Sequence, residues 1–104
     1  AELKDGEIRE YVLKPEDVGV ESAALDSLVV DSPAASLALI KDAFAGDAPL
    51  AADMIALNAG AALYAAGVAS SHKDGVALAY DVMSVGQAKE KLKEWADFSQ
   101  ACVL

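Results

Sequence analysis

What this sequence lacks narrows it quickly. It has one cysteine, Cys102, and one histidine, His72, in 104 residues, so an internal disulfide is impossible and there is no CxxC or histidine pair to hold zinc. A single thiol fits a reducing cytoplasm. Cations are scarce as well: eight Lys and Arg stand against seventeen Asp and Glu, giving a formal net charge of −9. A phosphate backbone is repelled by such a chain unless the cations cluster. Lys89, Lys91 and Lys93 are instead interleaved with Glu90 and Glu94, the pattern of a solvated helix face, so nucleic acid is not an expected partner. No basic stretch followed by an apolar one opens the chain, and export is unsupported.

What is abundant is small and apolar. The chain is expected to be organised around Leu50 to Gly67, LAADMIALNAGAALYAAG, where only Asp53, Asn58 and Tyr64 offer polar side-chain atoms. A helix apolar all round is a buried one, and the remaining helices are expected to wrap it. With an acid near its start, an amide mid-run and small side chains elsewhere, it is a core helix rather than a membrane span. No membrane is expected as a partner.

The other elements follow in order. Asp5-Gly6 is the dipeptide that two-residue type I′ turns favour, because both central residues need positive φ. The register it implies sets Lys4 against Glu7, Leu3 against Ile8 and Glu2 against Arg9: two opposite-charge pairs around an apolar one. The second strand should continue through Tyr11, Val12 and Leu13, far beyond its partner. A chain that begins without methionine and inside a strand looks like the trailing part of something longer. Pro15 stops the strand, KPEDVG reads as a turn, and Val20 to Asp31 as a loop with one short helical turn.

Ser32-Pro33 starts a helix, with Ser as N-cap and Pro at the first position, and Gly46 closes it. Asp47 and Pro49 lead into the central helix. Ser71 with Asp74 resembles a capping box and opens a helix with Val76, Ala79, Tyr80 and Met83 on one face, ended by Gly86. The last helix runs from about Gln87, with Ala88, Leu92, Trp95, Phe98 and Cys102 along one side and its charges on the other, so it should cap the surface. The expected architecture is one unit: a hairpin over residues 1–13, turn and loop over 14–31, and about four helices over 32–104.

The chemistry-bearing residues converge poorly. Asp5, Glu7 and Glu10 surround one turn with no base or metal ligand beside them. Glu16-Asp17 sits in a turn, where a carboxylate caps a backbone amide more often than it transfers a proton. His72 follows a helix cap and is expected in water; a lone histidine is no catalytic dyad. Cys102 lies at a helix end prone to fraying, a poor place for a nucleophile. Asn58, if buried, needs a hydrogen-bond partner. Gly60 costs about 1 kcal/mol against alanine in a helix interior, which the close approach of another backbone would explain. Asp26-Ser27-Leu28 matches the short D-S-L signature on which acyl-carrier proteins bear phosphopantetheine, and a small acidic carrier or interaction module is the alternative reading. Against it, the serine follows a hairpin and a proline turn rather than a long first helix.

Four stretches taken in sequence, AELKDGEIREYVLKPEDVG, LNAGAALYAAG, SSHKDGVALA and SVGQAKEKLKE, closely resemble the C-terminal part of the anthranilate phosphoribosyltransferase family. His72 departs from the leucine more usual there. The resemblance implies a parent enzyme with a small helical domain and a larger α/β domain, of which this segment would be the end. That enzyme joins anthranilate to the ribosyl group of phosphoribosyl diphosphate, with magnesium, in tryptophan biosynthesis, and acts as a homodimer. The family's glycine-rich GTGGD loop, its anthranilate-contacting residues and its acidic metal ligands all lie upstream and match no position here. The expectation is a scaffold segment, inactive alone, with no catalytic, cofactor-binding or metal residue of its own and with the rest of the parent chain as its partner.

Overall fold

A computed structural model describes residues 1–102; the last two residues of the expected helical portion lie outside that range. A two-stranded antiparallel hairpin, β1 (Glu2–Lys4) and β2 (Glu7–Arg9), precedes four helices: α1 (Pro33–Ala45), α2 (Pro49–Ala65), α3 (His72–Ser84) and α4 (Gln87–Ala101). Asp5 and Gly6 take φ of 52° and 78°, the left-handed pair that a type I′ turn demands. The ladder pairs Glu2 with Arg9, Leu3 with Ile8 and Lys4 with Glu7, the register expected from charge and turn chemistry.

β2 is shorter than expected. It stops at Arg9, and Tyr11, Val12 and Leu13 belong to no strand. β1 has three residues, so the ladder runs out of partners once Glu2 is paired, and Val12 is left 86% exposed. Residues Pro15–Val18 then form a 3₁₀ turn closed by Gly19 at φ 84°, and Asp26–Leu28 form the single helical turn expected in the loop. The first turn has a structural consequence: it delivers Val18 and Val20, both buried, into the core with Ala56, Val76, Ala79 and Met83.

Local chemistry accounts for the helix ends. Ser32 Oγ accepts from the Ala35 amide with Pro33 at the first position, and Gly46 ends α1 in the left-handed region. Ser71 Oγ accepts from the Asp74 amide at the start of α3, while the Asp74 carboxylate takes the Ser70 hydroxyl rather than completing a capping box. The bend between α1 and α2 is 89°, and among the described residues no single helix is long and apolar enough to cross a membrane.

α2 is not buried all round. Its inward side carries Ala51, Ala56 and Gly60, with Ile55, Leu57 and Leu63 half-buried, whereas Asn58, Ala61, Ala62 and Ala65 are exposed. An alanine methyl exposes so little apolar surface that a helix rich in it tolerates a wet face at small cost. α3 behaves as its pattern says, burying Gly75, Val76, Ala79 and Met83.

α4 departs from expectation. It has the anticipated apolar stripe, yet none of its residues is buried, and Trp95 and Phe98 are 69% and 68% exposed. Ala88 packs against the core and Leu92 is half-buried, whereas Trp95 and Phe98 line an open groove with Ile40 and Phe44 of α1.

Candidate functional site

The tightest feature is the crossing of α2 and α3. Gly60 and Gly75 face one another there: a Cβ on Gly60 would lie 2.6 Å from both the amide nitrogen and Cγ2 of Val76, and one on Gly75 would lie 2.3 Å from the Gly60 carbonyl oxygen. Real Cβ contacts are never that short, so both positions require glycine for the two backbones to touch. The close approach of a second backbone, expected from Gly60 alone, is therefore found, and its partner is Gly75. Beside the crossing, His72 Nε2 lies 2.9 Å from the Leu57 carbonyl oxygen on α2. His72 is half-buried and docked rather than in open water, because the close approach of the helices brings the first turn of α3 onto the flank of α2.

Asn58 also departs from its expected place. It is exposed, and its Nδ2 donates to the Met54 carbonyl one turn back, 2.8 Å away. The amide thus bonds its own helix on the solvent side.

Two tyrosine–carboxylate pairs tie distant parts of the chain together. Tyr64 near the end of α2 donates to Glu2 Oε1 on β1 at 2.5 Å. Tyr11 donates to Glu2 Oε2 at 3.3 Å, and the Arg9 guanidinium stands 3.7 Å from the same oxygen. Lys4 lies 5.6 Å from the centre of the Tyr64 ring, close enough for a cation–π contact. The Tyr64 hydroxyl foremost, then Tyr11, Arg9 and Lys4, holds the Glu2 carboxyl below the usual glutamate range against its partial desolvation. On the other side of α2, Tyr80 of α3 donates to Asp53 Oδ1 at 2.5 Å. Burial, followed by the hydrogen bond and charge of Asp53, pushes the Tyr80 phenol well above its ordinary value.

The remaining carboxylates singled out in the sequence serve backbone and hydroxyl groups. Asp17 Oδ2 accepts from the Lys14 amide at 2.9 Å and Glu16 Oε1 from the Ser22 amide at 3.1 Å. Both act as the caps their turn position suggested. Bonds from Ser22 lower the Glu16 pKa, and the Ser70 and Ser71 hydroxyls lower that of Asp74. A carboxylate so held is stabilised as the anion and is a weak proton acceptor. Asp5, Glu7 and Glu10 are exposed around the hairpin, Ser27 lies exposed in its 3₁₀ turn, and Cys102 is exposed at the end of α4.

The structure thus brings none of these side chains together into an acid–base or nucleophilic constellation. What it assembles is a set of clamps: Glu2 with Tyr64, Asp53 with Tyr80, and the glycine crossing. Sequence reading missed the two tyrosine pairs, whose members are 62 and 27 residues apart. The one available signal was a tyrosine on each of two apolar helices, since a phenol that is buried usually finds a partner. A concavity of about 890 Å³ is an apolar groove lined by Ile40, Phe44, Ile55, Leu92, Trp95 and Phe98.

The hairpin is thus clamped to α2 by the Glu2 carboxylate, with the glycine-on-glycine crossing of α2 and α3 behind it. That architecture belongs to a known class: residues 1–89 match the family model described as glycosyl transferase family, a/b domain, and the chain belongs to that family.

Within the family it is similar to proteins named anthranilate phosphoribosyltransferase. It is 54% identical over 103 residues to the one from Pseudomonas syringae pv. syringae strain B728a, covering 95% of this chain and 29% of that protein. The corresponding figures are 56% over 104 residues for Marinobacter nauticus strain VT8, covering 96% and 30%, and 50% over 105 residues for Acinetobacter baylyi strain ADP1, covering 97% and 30%. The chain therefore spans about three-tenths of the length of the curated relatives it matches.

Proposed function

We propose that this chain is the C-terminal part of the α/β domain of an anthranilate phosphoribosyltransferase, an enzyme that transfers the phosphoribosyl group of phosphoribosyl diphosphate to anthranilate in tryptophan biosynthesis. The observation that carries the reading is 54% identity extending over 95% of the chain to a protein of that name. On this reading the segment is scaffold. Its carboxylates at Glu2, Glu16, Asp17 and Asp53 are committed to hydroxyl and amide donors within the chain, so they are spoken for as structural acceptors.

On the same reading the magnesium ion that such an enzyme uses is held outside this segment. Among the described residues no three His, Cys, Asp or Glu side chains converge on one point, and the reading places the metal on the rest of the parent enzyme, a cytoplasmic homodimer. The residues here act by position: the α2–α3 crossing gives a rigid support, and the Glu2–Tyr64 clamp sets the hairpin against it.

The test is an assay of phosphoribosyl anthranilate formation, with both substrates and magnesium, on the natural gene product and on the 104-residue segment produced separately. Turnover by the gene product and none by the segment is expected. Turnover by the segment would overturn the scaffold reading, and a gene product inert toward anthranilate would overturn the assignment of substrate.

A further inference from the structure

We draw no further inference here: the strongest candidate, the apolar groove between α1 and α4 lined by Ile40, Phe44, Leu92, Trp95 and Phe98, carries nothing because nothing among the described residues shows what covers it.

Discussion

Replacing Gly60 by alanine should destabilise the protein even though alanine is the better helix former. A Cβ at position 60 would stand 2.6 Å from the Val76 amide nitrogen and 2.9 Å from its Cα. These are backbone atoms, and no rotamer change removes them. Restoring a contact distance near 3.6 Å means parting α2 from α3 by about 1 Å, a gap that forfeits roughly a quarter to a half of each van der Waals contact along the seam. Ala56, Val76 and Ala79 share that seam, and all are buried. Overpacking of this kind costs about 1 to 3 kcal/mol, and an unyielding backbone neighbour places this case near the upper end. The gain in helix propensity is about 1 kcal/mol.

The net expectation is a loss of about 2 kcal/mol for Gly60→Ala, from the difference of those two terms, and a larger one for Gly60→Leu. Urea unfolding of the natural gene product, followed by far-ultraviolet circular dichroism, measures it as a lowered midpoint at unchanged slope. Asn58→Ala, on the exposed side of the same helix, is the control and should stay within about 0.5 kcal/mol of the parent. If Gly60→Ala unfolds at or above the parent midpoint, the helices do not meet backbone to backbone at this point and the reasoning fails.

Three further outcomes are expected. Because the Glu2 carboxyl is held below its ordinary value of 4.5, its contribution to docking the hairpin on α2 is present above that value and fades as pH falls through the lower folded value; an acid titration of the Tyr64 ring resonances should show the release, and an identical transition in Glu2→Gln would exclude Glu2 as its origin. The Tyr80 phenol is raised above its ordinary value of 10.0, so its contribution is intact below that value and is lost as pH rises through the folded one; Tyr80→Phe should flatten the alkaline limb of a stability–pH profile, and an unchanged limb would count against the Asp53 pairing. Ser32→Ala removes the hydroxyl that accepts from the Ala35 amide and should cost about 1 kcal/mol in the same unfolding assay, while a neutral result would mean that Pro33 alone sets the start of α1.

The features that sequence alone determined are those governed by neighbours along the chain. Asp5-Gly6 dictated the turn, and the turn dictated the register from Glu2–Arg9 to Lys4–Glu7, because a two-residue loop leaves no freedom to slide. Ser32, Pro33, Gly46 and Ser71 marked helix ends through bonds that reach only a few residues. The face of α3 was legible because its apolar residues recur at helical spacing and alternate with polar ones. The family resemblance was legible for the same reason, resting on the order and identity of residues rather than on contacts.

Tertiary structure decided whatever depended on atoms far away in the chain. The pattern of α2 could not say which side is wet, since alanine occupies both sides, and only the arrival of α3 made Gly60 inside and Asn58 outside. The same approach drew His72 onto the Leu57 carbonyl and set Tyr80 on Asp53. The stripe on α4 gives the complementary lesson: periodicity states which face is apolar, but burial requires a partner of the right shape at the right distance, and that is a property of the whole fold rather than of the helix.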